Sequence, residues 1–257
     1  MEDTHSPVIR IRNLTMAYGQ NVVMRDLTFD IHQGDIFIIM GGSGSGKSTL
    51  MRHLLGLEDP ARGEIFYGAI DFTHSDLDGR NALLRRIGVM YQGGALFTSM
   101  TLGQNVALPL EEYTHLSSNQ IRTNVAYKLG LVGLSGFEEY YPSEISGGMN
   151  KRAAIARAMA LDPQFLFLDE PSAGLDPLTA ARLDELLLEL KQQLDCTLVI
   201  VTHELASIFA IGTDSVFLDT ETKTIGAVGP PKYLRDHCPN PEIRSFLNPS
   251  EPQPQTI

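Results

Sequence analysis

Three short β-rich runs separated by turns open the chain, at Val8–Met16, Val22–Ile31 and Asp35–Met40. The third is apolar almost throughout and stops at glycines, the pattern of a buried strand feeding a loop. Ser48–Leu57 follows with apolar residues at helical spacing. From Gly93 to about Asp162 the pattern turns helical, notably from Asn119 and from Lys151, with no convincing strand between. Strand and helix then alternate: a strand at Phe165–Leu168, a helix over about 177–193, a strand at Thr197–Thr202, a helix after His203, and a strand at Val216–Asp219. Strands separated by helices of this length predict an α/β fold with a mostly parallel sheet. The β-rich opening forms a separate antiparallel part, and 93–162 forms an inserted helical subdomain. The expected division is a main domain over 1–229 and a C-terminal extension over 230–257.

Composition narrows the function classes. In 257 residues, 43% are hydrophobic and 20% charged, as in ordinary soluble globules. A formal net charge of −11 argues against nucleic acid as a partner, because displacing counterions from phosphates needs a positive surface. No stretch approaches the roughly 20 consecutive apolar residues that span a bilayer. The opening MEDTHSPVIR has neither a basic n-region nor an apolar h-region, so a cytosolic location is expected. Cys196 and Cys238 lie far apart and outside any metal-ligand spacing, which reads as two reduced thiols. The Pro-rich, polar tail NPSEPQPQTI predicts disorder.

Chemistry enters at GGSGSGKS. Gly41 and Gly46–Ser48 fit G-x-x-x-x-G-K-[ST] after a predicted strand and before a predicted helix, the context that makes the motif specific for nucleotide phosphates. Its glycines let backbone N–H groups approach phosphate, and the helix N-terminus adds a favourable dipole. Lys47 is placed to reach the β- and γ-phosphates and Ser48 to ligate Mg²⁺. The predicted ATP-binding set is Gly41, Gly42, Ser43, Gly44, Ser45, Gly46, Lys47, Ser48 and Thr49. Downstream, FLFLDE puts Asp169 and Glu170 at the C-terminal end of an apolar strand, where open α/β sheets bind ligands. Asp169 suits the Mg²⁺ shell, and Glu170 can orient and polarise an attacking water.

Between these motifs lies EISGGMNKRAAIARAMAL. Ser146, Gly147 and Gly148 resemble the core of the ABC signature motif, ahead of a helix and upstream of Asp169 as in that family. The resemblance implies further roles, each at a matching local motif. Tyr18 resembles the aromatic that stacks on adenine. Gln92 resembles the Q-loop glutamine that senses Mg²⁺ and the attacking water. Ser172–Asp176 resembles the D-loop, and His203 the switch histidine at the γ-phosphate. It covers about Val8–Val228 with every element in order. One departure falls within the signature, where Met149 and Asn150 replace the usual glutamine and its neighbour. A soluble ABC protein of DNA repair or translation usually carries two cassettes, a coiled-coil insertion or a basic surface, and none is evident. An inactive cassette fits poorly with Lys47, Glu170 and His203 all present.

A narrower resemblance lies outside these motifs. Tyr91–Glu112, the signature helix and Asn240–Asn248 are similar to the ATPase subunits of Mla/MCE-type phospholipid transporters of bacterial envelopes. What this implies is a head-to-tail dimer with a second copy, each ATP held between one phosphate loop and the other chain's signature. It also implies a membrane-spanning permease, an MCE substrate-binding protein, a small cytosolic accessory subunit, and a place on the cytoplasmic face of the inner membrane. Leu96, Phe97 and Met100 either meet a cytoplasmic helix of the permease or fill the subdomain's own core. The Arg244–Leu247 segment is expected to grip the partner ATPase subunit.

Overall fold

The computed structural model describes residues 7–248. The tail predicted to be disordered, 248–257, lies outside the described residues from 249 onward. The chain begins with β1 (Pro7–Tyr18), β2 (Asn21–His32), β3 (Ile36–Gly41), α1 (Lys47–Leu54), β4 (Arg62–Tyr67) and β5 (Ile70–Asp71). Next come α2 (Leu77–Leu84), β6 (Ile87–Met90), α3 (Leu102–Tyr113), α4 (Ser118–Leu131), a 3₁₀ turn at Pro142–Glu144, and α5 (Gly147–Ala158). The remainder is β7 (Phe165–Asp169), α6 (Pro177–Leu194), β8 (Thr197–Val201), α7 (Leu205–Ile211), β9 (Asp214–Asp219), β10 (Thr224–Val228), α8 (Pro231–His237) and α9 (Pro241–Leu247). The fold is α/β, with one antiparallel sheet and a second set of mostly parallel strands. The chain divides into two compact units, one from Met1–Ser75 with Val201–Ile257 and the other from Asp76–Ile200.

In the first unit, β1 pairs antiparallel with β2 and with β4, giving the order β2-β1-β4-β5. Alternation buries Ile9, Ile11, Leu27 and Ile31 and leaves the opposite face wetter, as expected of a sheet with one face on a core. Phe29 stacks on Phe37 of β3 at 5.5 Å between ring centroids. All six residues of β3 are buried, and it pairs in parallel with β9, whose other edge carries β10 antiparallel. The terminal segment is held by its own chain. Ile243 and Leu247 are buried, and Phe246 sets its edge on Phe217 of β9 at 5.2 Å. The order of Arg244–Leu247 therefore has a source in intramolecular packing.

In the second unit, β8, β7 and β6 lie in that order, with β6 parallel to β7. Among the described residues, 93–162 contains α3, α4 and α5 and no strand. A reciprocal cap between Thr101 and Gln104 starts α3. Fully buried Asn105 accepts from Phe97 N and donates to the carbonyls of Phe97, Met100 and Thr101, clamping the loop ahead of that helix. Phe97 itself is 51% exposed, with the Arg157 guanidinium near its ring, so it does not fill the core; Leu96 and Met100 are half-buried. Both cysteines are free and buried, and burial pushes the Cys196 thiol up to about 11, as inert reduced thiols require.

Candidate nucleotide site

The phosphate loop belongs to the first unit and follows from two backbone constraints. Gly41 ends β3 at φ 151°, where a β-carbon would sit 2.6 Å from both Leu218 O and Ser45 Oγ. Gly46 caps α1 at φ 83°, with Val23 Cγ1 only 2.9 Å from where its β-carbon would be. Only glycine meets both the left-handed backbone and the close approach. The first turn of an α-helix leaves N–H groups without intrahelical partners, and Gly46 offers no side chain to cap them. Those groups and the helix dipole make an anion site. Lys47 Nζ spans the loop, donating to Gly41 O and Gly42 O at 2.9 Å each. Ser43, Gly44 and Ser48 face solvent at its mouth, whereas Ser45 Oγ is fully buried and has no hydrogen-bond partner among the described residues. Positive charge, oriented amides and a buried orphan hydroxyl fit a phosphate chain.

Two more candidates lie in this unit. Tyr18 is half-exposed, and its hydroxyl donates to Glu58, at 2.7 Å from Oε2 and 2.9 Å from Oε1. Glu58 also pairs with Arg52 of α1 at 3.0 Å, so the aromatic is tied to the helix that the loop opens. Thr202 N donates to Ile39 O of β3 at 3.4 Å, which brings the chain out beside the strand feeding the loop. His203 follows, exposed, with Glu204 Oε1 3.9 Å from its Nε2.

The second unit holds the rest. Asp169 ends β7, half-buried, and Glu170 is 7% exposed with φ 48°. A left-handed backbone at a non-glycine residue is uncommon and concentrates at functional sites. Gln92 is exposed just beyond β6. The loop after it is pinned by Arg157, whose guanidinium donates to Ala95 O at 2.7 Å and Gly94 O at 3.1 Å. Ser146 is the N-cap of α5, its Oγ accepting from Met149 N at 3.3 Å, with Gly147 and Gly148 in the first turn behind it. The unusual Asn150 donates to Pro142 O at 2.9 Å and fixes the approach to Ser146. Asp176 caps α6, accepting from Leu178 N and Thr179 N at 3.1 Å. Hydrogen bonds from Thr179 hold its carboxyl below the usual carboxylate range.

Sequence reasoning missed Glu58 and Lys151. Lys151 Nζ donates to Gln92 O at 2.5 Å and to Glu170 O at 3.2 Å. Neither residue belongs to a spaced motif, so only the folded chain reveals them.

Residues 24–173 match the model of the ABC transporter family. The probable ribonucleotide transport ATP-binding protein mkl of Mycobacterium leprae is 39% identical over 240 residues, covering 93% of this chain and 68% of that protein. The intermembrane phospholipid transport system ATP-binding protein MlaF of Escherichia coli K12 is 36% identical over 248 residues, covering 96% of this chain and 91% of MlaF. Among solved structures, the dimeric post-hydrolysis state of the ATP-binding cassette MJ0796 bound to ADP and Pi superposes with a TM-score of 0.77 at 29% identity, over 86% of this chain and 97% of that one.

Proposed function

The chain belongs to the ABC transporter family as an ATP-binding, ATP-hydrolysing subunit, and on that premise we propose that it drives phospholipid movement across a bacterial envelope. The observation that carries this reading is the likeness to MlaF over 91% of that protein's length. The dimeric cassette bound to ADP and Pi supports a working unit of two copies. Among the described residues no helix is long and apolar enough to cross a membrane, so passage through the bilayer falls to a permease subunit. The ATPase then sits peripherally on the inner membrane, with an MCE protein and a small accessory subunit completing the assembly. Exposed Phe97, with Leu96 and Met100, is offered to a cytoplasmic helix of the permease.

In this reading the loop amides and Lys47 hold the β- and γ-phosphates, and Tyr18 stacks on adenine. Glu170 accepts a proton from the attacking water, His203 steadies the γ-phosphate, and Ser146–Gly148 of a second copy close the cage. The Ser48 hydroxyl, the Asp169 carboxylate and the Gln92 amide oxygen are hard oxygen donors of the kind Mg²⁺ takes. A Mg²⁺ held by such donors would supply positive charge against the phosphate oxygens. Glu58 keeps the Tyr18 ring in place, so Glu58→Ala is expected to weaken ATP binding about fivefold, on the scale of ~1 kcal/mol for a lost hydrogen bond. Tripolyphosphate binding, which needs no aromatic, should not change. Titration calorimetry with both ligands checks this.

The mycobacterial relative's name favours a second reading, ribonucleotide transport. Purification of the complete complex from membranes discriminates the two. A multi-span permease with co-purified phospholipid is the expected result, and a permease with bound ribonucleotide and no phospholipid would replace the first reading by the second.

A further inference from the structure

We propose that Lys151 is a positioning residue for Glu170, its ammonium tying the signature helix α5 to the backbones of Gln92 and Glu170. The inference rests on the catalytic reading of Glu170 given above. Lys151 lies in the second turn of α5, on the helix that Ser146 caps. A lysine there ordinarily extends into water. Here the side chain is half-buried and its Nζ reaches two carbonyls from segments far apart in the chain, Gln92 O at 2.5 Å and Glu170 O at 3.2 Å. Burial lowers the ammonium pKa, while the Glu170 and Asp169 carboxylates act to raise it.

The Glu170 carbonyl is a demanding group to hold. Its residue has φ 48°, in the left-handed region that side-chain-bearing residues adopt infrequently, so its peptide geometry leans on the contacts around it. Its carbonyl accepts from Ala173 N of the following turn at 3.2 Å and from Lys151 Nζ of α5. The first is local and accompanies any tight turn. The second comes from a separate helix and depends on where that helix lies. Because the same ammonium also holds the Gln92 carbonyl, a displacement of α5 acts on both the Gln92 loop and the Glu170 backbone. When a second copy's nucleotide engages Ser146–Gly148 at the start of α5, Lys151 links that helix to this chain's own Glu170.

The test uses the full chain with Lys151→Met and Lys151→Arg, read by kcat, KM, ATP affinity and thermal midpoint. Lys151→Met is expected to lower kcat about ten- to a hundredfold, the scale of a misplaced catalytic group, with ATP affinity unchanged. Lys151→Arg, which keeps a cation and its donors, should recover most of the rate. Combined with Glu170→Gln, Lys151→Met should add no further loss, since both act through one group. A kcat within about twofold of wild type for Lys151→Met would overturn the proposal, as would losses that multiply in the double variant. If Lys151→Met does not fold, Lys151→Ala, which also removes the donor, carries the same comparison. Normal turnover of Glu170→Gln would instead remove the catalytic reading itself, while an inactive Glu170→Gln beside a normal Lys151→Met removes only the role of Lys151.

Discussion

Glu170→Gln is expected to bind ATP normally and hydrolyse it about two to four orders of magnitude more slowly, the range for removing a positioned general base. The side chain lies at the end of β7, 7% exposed, on a backbone fixed in the left-handed region. Glutamine has nearly the same volume and keeps an acceptor, so packing and stability should change little. What disappears is a carboxylate able to draw a proton from water. ATP that is bound but not cleaved should hold two copies together, and the variant should elute as a dimer with ATP and as a monomer without it. Single-turnover kinetics together with size-exclusion chromatography check both parts. Turnover at the wild-type rate would take Glu170 out of the chemistry.

The second large effect separates binding from completion of the site. Lys47→Ala removes the ammonium that spans the loop from α1 to Gly41 O and Gly42 O. Losing charge-assisted hydrogen bonds to phosphate costs about 1.5–3 kcal/mol, or roughly ten- to a hundredfold in ATP affinity. Hydrolysis at ordinary ATP concentration should fall with it. Ser146→Asp acts differently. Aspartate is as good an N-cap as serine and can take over the bond from Met149 N, so α5 should remain intact. Ser146 is exposed, so the larger side chain meets no wall. Its charge, however, would repel a phosphate brought to the signature by a second copy. ATP should still bind to the variant's own loop, and turnover should be lost.

Much of this was legible before any coordinates. The loop at Gly41–Ser48 could be read because its requirement is local: a buried strand, a left-handed backbone at Gly46 and a helix start leave signatures in adjacent residues. The same holds for Ser146 as a helix cap and for Asp169 at the end of an apolar strand. Strands β4, β5 and β10 escaped because they are only partly buried and carry polar residues or glycine within them. Gly63 in β4 shows why composition misled there: a β-carbon would lie 2.4 Å from Asn13 O, so strand pairing rather than β-propensity selects the residue. Glu58 and Lys151 were invisible for a related reason. Glu58 acquires its role from Tyr18 and Lys151 from Gln92, partners 40 and 59 positions away, and no spacing rule anticipates them. Phe97 could be read as core or as contact until its exposure decided against the core.

Each productive site is expected to be shared, with the phosphate loop of one copy completed by the signature of the other. Mixing purified Lys47→Ala with purified Ser146→Asp tests it most directly. In a head-to-tail pair of the two variants, one site combines both defects and the other combines a wild-type loop with a wild-type signature. ATPase activity is expected to appear on mixing, well above the sum of the two inactive parents, and to rise with total protein concentration. Activity that stays at that sum, with mixed dimers demonstrated in solution, would contradict it.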